Sequence, residues 1–265
     1  EVTRLITDNG KVIGAEAVQN GQTITIKANK GVILAAAGVD QNAEMAKELN
    51  PQQYWDDTTQ ICLCVATDMG DGIRMGMELG AAYVSGGTID FCGKTGAATD
   101  NRNPVFPSFI VNQAGRRFVC EDATYAYHYR AIYQQEMQLQ GPTYMIFGAS
   151  SLEADGAPWT PETVAKDVAD GVVITADTLE DLAEKLGIDA AGLVRTMKDW
   201  NEDVAAGKDP FGRKDGLEPI SGPFYAYKNT AYNLGALGGL KITTDCEVVD
   251  VNGKVIEGLC AAGLN

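Results

Sequence analysis

One run of apolar and small residues constrains the fold of this chain more than any other feature. Gly31–Gly38 reads Gly-Val-Ile-Leu-Ala-Ala-Ala-Gly and contains no polar side chain. A continuous apolar run of this length is typical of a buried central strand in an α/β sheet, where helices cover both faces. Because the run ends in residues with little or no side chain, the sequence also predicts room for close approach to the backbone at the end of the strand.

Three further clusters of small residues occupy comparable positions. Gly235–Gly239 and Ala261–Gly263 lie at the ends of β-rich runs, and Gly70-Asp71-Gly72 opens a predicted helix. Nucleotides dock at the ends of parallel strands and at helix N-termini, whose free N–H groups attract anions. Each cluster alone is compatible with a tight turn, but the four together favour a site for a large nucleotide cofactor. No GxGxxG or GxxxxGK[ST] motif occurs, so we expect the phosphate-binding turn to lie outside this sequence.

Composition and predicted secondary structure divide the chain into three segments. Residues 1–91 and 222–265 consist of short β-rich runs, turns and glycine-rich ends, whereas residues 92–221 begin with a loop and contain amphipathic helices. Two of these helices form a pair that starts at the capping residues Thr178 and Asp189. We therefore predict a discontinuous α/β domain at 1–91 and 222–265, interrupted by an inserted α+β domain at 92–221.

The charge balance excludes several classes of partner. The 21 Lys and Arg residues face 36 Asp and Glu residues, which gives a formal net charge of −15. Generic binding to nucleic acid or to an anionic membrane surface requires a basic surface, and the sequence has no basic run. No apolar stretch approaches the roughly 20 residues that cross a bilayer. We predict neither a nucleic-acid partner nor a membrane span.

The cysteines do not indicate a metal site. The six cysteines form no CxxC motif, and His128, the one histidine, lies far from any cysteine pair. A Cys/His zinc site is therefore not predicted. On an alternating strand, Cys62 and Cys64 would point to one face, and we interpret them as small buried hydrophobic side chains.

Four segments resemble motifs of the fumarate reductase and succinate dehydrogenase flavoprotein superfamily, which includes the 3-ketosteroid dehydrogenases. They are Gly31–Asp40, Gly70–Ala82, Val111–Asp122, and the final segment comprising Leu237–Gly239 and Gly258–Gly263. Their order and spacing match the superfamily over nearly the whole chain. The resemblance implies an incomplete Rossmann-like FAD-binding domain with an inserted, mobile capping domain above the flavin.

The same resemblance implies which parts of the cofactor site this sequence contains. The superfamily's GxGxxG unit would precede Glu1 and its flavin-closing C-terminal segment would follow Asn265, so the chain is expected to be a central fragment that binds FAD weakly or not at all. The expected FAD-contacting residues are those of the small-residue clusters, namely Ala35, Ala36, Gly38, Gly70, Asp71, Gly72, Gly238, Gly239, Ala262 and Gly263.

The resemblance also assigns candidate catalytic residues. Superfamily members transfer a hydride between flavin N5 and a carbon of an activated C=C or C–C bond, while a protein acid or base handles the proton. In fumarate reductases, an arginine acts as the acid. The matching position in this chain is Tyr125, and 3-ketosteroid dehydrogenases also have a tyrosine there. Tyr125 and His128 are three residues apart and would share a helix face, with Arg130 nearby.

Structural interpretations of these residues remain open. The alternative is an aromatic stripe that packs the inserted domain against the FAD domain, formed by Tyr125, Tyr127, Tyr129 and Tyr133. Arg116 and Arg117 would bind a substrate carboxylate or would pin a hairpin to nearby acidic residues.

Two functions from different classes follow. The first is an FAD-dependent oxidoreductase that reduces or desaturates a C=C bond conjugated to a carbonyl, using a small-molecule substrate and an electron donor or acceptor. The alternative is a non-catalytic ligand-binding or scaffold module that retains the flavoprotein fold.

Overall fold

The computed structural model describes residues 1–54, 61–94 and 106–264. The chain separates into two compact units, of which the first comprises Glu1–Ile89 and Asn233–Asn265 and the second Asp90–Tyr232. The second unit is thus inserted into the first. The chain returns from the second unit to the first after residue 232, whereas the predicted boundary lies after residue 221. The difference arises because the strand that begins at Phe224 pairs within the second unit before it continues into the first.

The secondary structure alternates strands and helices along the chain. In chain order the described strands are β1 (Val2–Asp8), β2 (Lys11–Gln19), β3 (Gln22–Lys27), β4 (Val32–Leu34), β5 (Ile61–Cys62), β6 (Tyr83–Val84), β7 (Thr88–Lys94), β8 (Ser108–Val111), β9 (Tyr144–Gly148), β10 (Ile174–Ala176), β11 (Phe224–Ala236), β12 (Gly239–Leu240), β13 (Glu247–Val249) and β14 (Val255–Ala261). The described helices are α1 (Ala43–Leu49), α2 (Asp71–Glu78), α3 (Tyr125–Leu139), α4 (Pro161–Ala169), α5 (Leu179–Leu186) and α6 (Ala190–Ala205), with a 3₁₀ turn at Ala149–Glu153 and a helical stretch at 51–54.

The first unit combines a three-stranded antiparallel meander with a partly parallel sheet. Strands β1, β2 and β3 pair in sequence order, and the turns between them are Asn9-Gly10 and Asn20-Gly21, all four residues with positive φ. Such Asn-Gly turns match the right-handed twist of a hairpin. In the second sheet, β14 lies between β13 and β4, antiparallel to the former and parallel to the latter.

The structure corrects the prediction that Gly31–Gly38 contains a strand buried on both faces. Only Val32–Leu34 form a strand, and their side chains alternate between two environments. Leu34 is buried in the core of the first unit, whereas Ile33 is 68% exposed. In the described part of the chain β4 pairs only with β14, so it is an edge strand of its sheet rather than a central one.

The second unit contains an antiparallel sheet covered on both faces. Its strands lie in the order β10-β11-β9-β8. Alternating residues of β9 point into two separate cores, with Tyr144 and Ile146 facing one and Met145 and Phe147 the other. Helices α5 and α6 supply the first core, and α3 and α4 supply the second. All five residues of β9 are therefore buried.

The predicted helix pair of this unit is present. The Thr178 hydroxyl accepts a hydrogen bond from the Asp181 amide (3.1 Å) and caps α5, and the Asp189 carboxylate accepts one from the Ala191 amide (3.1 Å) and caps α6. Of the helices in the described ranges, none is both long and apolar enough to cross a membrane.

Candidate functional site

Two strands end side by side in the first unit. In the parallel pair, Leu34 of β4 lies opposite Ala261 of β14, and the Ala262 amide donates a hydrogen bond to the Leu34 carbonyl (3.0 Å). The residues that follow both strands therefore leave the sheet at the same edge. Ala35, Ala36, Ala262 and Gly263 are all exposed there. Two of the small-residue clusters predicted to contact a cofactor are thus adjacent.

The third cluster, Gly235–Gly239, packs against the first two. A Cβ atom on Gly38 would lie 3.3 Å from the Ala236 Cβ and 3.3 Å from the Leu264 carbonyl oxygen, so the three chain segments approach closely at this point. A Cβ on Gly238 would lie 2.5 Å from the Tyr83 hydroxyl, which only glycine avoids. We call Ala35–Gly38, Gly235–Gly239 and Ala261–Gly263 the strand-end clusters.

A cavity of about 470 Å³ opens beside two of these clusters. This volume lies within the range of ordinary small-molecule and cofactor sites. The residues that line it come from β6, from the turn around β12 and from the end of β14, and they are Val84, Leu237, Gly238, Gly239, Leu240, Lys241, Ile242, Ala261, Ala262, Gly263 and Leu264.

The fourth predicted cluster, Gly70-Asp71-Gly72, lies next to the strand-end clusters but outside the cavity. Gly70 packs against Val39, the residue after Gly38, because a Cβ on Gly70 would lie 2.8 Å from the Val39 Cγ1. Gly72 is buried, and the Asp71 carboxylate pairs with the Arg74 guanidinium (3.5 Å). None of these three residues lines the cavity. The structure therefore brings three clusters together and places the fourth behind Val39.

A buried carboxyl group fixes the strand-end clusters in place. Asp40 is 1% exposed, and its Oδ1 accepts hydrogen bonds from the Ala236 amide (2.7 Å) and from Gln53 Nε2 (2.8 Å). Its Oδ2 and the Tyr83 hydroxyl are buried without a hydrogen-bond partner. Burial, followed by the charge of Asp40, raises the pKa of Tyr83. Sequence reasoning included Asp40 in a motif but assigned it no role.

The predicted catalytic residues lie on α3 of the second unit. Tyr125 is the first residue of this helix, and its side chain lies outside the described residues. His128 is 1% exposed, and within the described part of the chain neither of its ring nitrogens has a hydrogen-bond partner. Arg130 is exposed. The structure thus places His128 and Arg130 in different environments.

Burial dominates the ionisation of His128. It lowers the pKa of His128 to about 4, the negative charge of Glu121 opposes the shift, and the positive charge of Arg213 adds to it. The imidazole is therefore neutral at neutral pH. A neutral, enclosed imidazole is poorly placed to deliver a proton to solvent or to a surface-bound molecule.

The tyrosines of α3 do not form a single stripe. Tyr129 is buried, and its ring lies 6.1 Å from that of Tyr133. Tyr127, in contrast, is 71% exposed. Tyr129 and Tyr133 therefore pack within the second unit, whereas the Tyr127 side chain is exposed.

Arg117 belongs to a buried ion cluster. Its guanidinium donates to both Glu121 oxygens (2.8 and 2.6 Å) and pairs with Asp209. Arg213 donates to the Phe106 carbonyl (2.7 Å) and to the same Glu121 carboxylate (3.3 Å). Burial opposes the charge of Arg117, but the two acidic partners raise its pKa above the ordinary value. Arg117 therefore holds its hairpin to acidic residues, as one of the two interpretations predicted, while the neighbouring Arg116 is exposed.

The fold and the strand-end clusters together define a nucleotide-binding protein. The model of the FAD binding domain family matches residues 1–264, so the chain belongs to this flavoprotein family, whose cofactor is FAD. This result confirms the superfamily resemblance seen in the sequence.

Relatives and solved structures agree with this assignment. The chain is 35% identical to the NADH:acrylate oxidoreductase of Vibrio harveyi over 98% of its own length and 26% of that protein. It is 30% identical to the probable fumarate reductase Ifc3 of Shewanella frigidimarina, over 99% and 43% of the two chains. The crystal structure of 3-ketosteroid Δ1-dehydrogenase from Sterolibacterium denitrificans, in complex with 1,4-androstadiene-3,17-dione, superimposes with a TM-score of 0.83 at 26% identity over 100% of this chain and 53% of that one. The chain therefore spans between a quarter and about half of these proteins.

Proposed function

We propose that this chain forms part of an FAD-dependent oxidoreductase that reduces or desaturates a C=C bond conjugated to a carbonyl. The observation that carries the proposal is the meeting of the three strand-end clusters, two of which line one cavity. Acrylate and fumarate both contain such a bond, and they appear in the names of two relatives. An enone, a steroid-like ketone or a small unsaturated acid is the substrate class that this proposal implies.

The residues of the first unit fit a flat nucleotide cofactor. Exposed alanines and glycines at the strand ends leave room for a flat ring beside the backbone, and the Tyr83 hydroxyl offers a hydrogen bond that the described residues do not use. The residues that would hold FAD are Ala35, Ala36, Gly38, Gly238, Gly239, Ala262 and Gly263, with Gly70, Asp71 and Gly72 behind them. When bound, FAD would supply hydride transfer. Because the GxGxxG turn is not in this sequence, the chain by itself is proposed to bind FAD weakly.

The second unit is proposed to act as the substrate cap. Within it, Tyr125 is the proposed acid or base, and its position depends on the segment that precedes α3. Glu121 anchors that segment by accepting hydrogen bonds from the Ile110 amide (3.0 Å) and from Arg117. A phenol has an unperturbed pKa of about 10, so it retains its proton at neutral pH and can donate it to a substrate carbon. His128, which is buried, and Arg130, which is exposed, would then contribute separately rather than as one group.

The catalytic proposal is tested by comparing two tyrosines of α3. In the protein produced from its complete gene, Tyr125→Phe is expected to lower the rate at which a panel of enones and enoates reoxidises reduced viologen by roughly 10²-fold or more, the usual contribution of a general acid. Tyr127→Phe is the matched control, because Tyr127 is exposed on the same helix, and it is expected to retain the wild-type rate.

Two results would contradict the proposal. If no panel member reoxidises the dye and none is desaturated with an acceptor dye, the non-catalytic module is the better description. If both tyrosine variants keep the wild-type rate, the reaction class stands and the role of Tyr125 is wrong.

A further inference from the structure

A second potential ligand site surrounds the free oxygen of Asp40. The two hydrogen bonds to Oδ1, from the Ala236 amide and Gln53 Nε2, hold the carboxyl plane in one orientation. Among the described residues, the buried Oδ2 then has no hydrogen-bond partner. A buried carboxylate oxygen without a partner costs free energy unless something satisfies it. The orientation of Asp40 therefore presents a ready acceptor to a bound group.

Two further ligand atoms lie close to the Asp40 carboxylate. The Cys64 Sγ, an Asp68 carboxylate oxygen and an Asp40 carboxylate oxygen are all within 4.8 Å of one another. Two hydrogen bonds from Gln41 fix this arrangement. Its backbone amide donates to the Asp68 carbonyl (2.9 Å), and its side-chain Nε2 donates to the Cys64 carbonyl (3.0 Å). The loop that carries Cys64 and Asp68 is thus tied to the segment that carries Asp40.

The ligand set matches a borderline divalent cation. One thiolate and two carboxylates are ligands that Zn²⁺ accepts, and a tetrahedral ion with bonds of about 2.0–2.3 Å brings its ligand atoms to roughly 3–4 Å from one another. Cys64 is partly exposed, so an ion has a route from solvent. The hydrogen bonds to Asp40 Oδ1 are the kind of outer contacts that orient a metal-bound carboxylate.

We propose that Asp40, Cys64 and Asp68 bind one Zn²⁺ ion, with water in the fourth position. This site lies wholly within the first unit and does not depend on the proposed oxidoreductase activity. The spacing of the cysteines did not predict it, because the ligands come from two loops that converge only in the folded chain.

Ion binding is expected to release a proton. An unbound cysteine thiol is mostly protonated at neutral pH. A metal-bound cysteine is a thiolate. Zn²⁺ titrations of the metal-free protein should therefore release about one proton per ion, visible as a binding heat that depends on the ionisation enthalpy of the buffer.

The direct test uses Zn²⁺ and Co²⁺ with the metal-free protein. We expect one ion per chain and, with Co²⁺, a thiolate-to-metal charge-transfer band. Cys64→Ser should abolish the band. Asp40→Asn and Asp68→Asn should each weaken Zn²⁺ binding by more than the roughly 10–100-fold that loss of an outer contact costs. Asp68→Asn leaves the bonds of Asp40 Oδ1 intact, so it remains informative if Asp40→Asn does not fold.

Matched controls come from groups outside the cluster. Cys246→Ser removes an exposed thiol, and Asp170→Asn removes an exposed carboxylate that pairs with Lys166. Both should bind Zn²⁺ as the wild type does. The proposal is overturned if the wild type binds no ion, or if the control variants weaken binding as much as the cluster variants do.

Discussion

At the scale of single residues, His128 shows how the environment overrides the chemistry that a residue type suggests. The sequence offered it as a catalytic partner because it is the one histidine and lies three residues after Tyr125. In the structure its ring is enclosed, and burial lowers its pKa to about 4. The residue is better described as an uncharged part of the second unit's interior.

This assignment predicts an acid-sensitive fold. The folded-state pKa of His128 is about 4 and the unfolded value is near 6.5, so the unfolded chain binds a proton that the native chain does not between these values. The contribution of His128 to stability is therefore fully present above pH 6.5 and decreases as the pH falls toward 4. At pH 5 the loss is about 2 kcal/mol.

The variant His128→Phe isolates this effect, because it removes the titrating group and the two unpartnered nitrogens. Urea unfolding at pH 7.5 and pH 5 should show that the variant loses about 2 kcal/mol less than the wild type over this range. Tyr127→Phe, which alters an exposed neighbour, should behave as the wild type. Equal losses in all three proteins would show that His128 does not resist protonation in the fold.

Single residues also mark the limit of sequence reasoning. Tyr125, His128 and the glycines were found because their motifs are contiguous. Asp40 and Glu121 were not assigned roles, because their partners lie far away along the chain: Asp40 accepts from the amide of Ala236, and Glu121 pairs with Arg213. A buried carboxylate is recognisable only when the groups that satisfy it are known.

At the scale of elements, β4 shows which structural features a local sequence pattern predicts and which depend on the rest of the fold. The apolar run correctly predicted a strand that ends in small residues and joins a parallel pair. It did not predict the exposure of Ile33, because burial of the second face depends on which elements pack there. The Asn-Gly hairpins and the helix caps, whose determinants lie within a few residues, were predicted well.

The two faces of β4 predict opposite responses to truncation. Leu34→Ala should destabilise the first unit by about 2–5 kcal/mol, since Leu34 is buried in its core. Ile33→Ala, one residue earlier, should change the free energy of unfolding by no more than about 0.5 kcal/mol. Denaturant unfolding of both variants measures the difference. Comparable losses would mean that the exposed face of β4 is covered in solution.

At the scale of the whole molecule, the chain consists of a discontinuous unit that carries the strand-end clusters and an inserted unit that carries α3. The family assignment gives the chain its cofactor, FAD. The proposed chemistry requires that the clusters do more than close turns. They must leave a surface on which a flat ring system lies against backbone.

The most direct measurement of this claim is the flavin content of a variant that fills the surface. In the protein produced from its complete gene, Ala262→Leu adds bulk at an exposed position that lines the cavity, and Ala191→Leu adds the same bulk at an exposed position of α6. We predict that Ala262→Leu folds, by circular dichroism, but purifies with little FAD, whereas Ala191→Leu retains one FAD per chain by absorbance. Full FAD occupancy in Ala262→Leu would show that the strand-end clusters do not contact the cofactor.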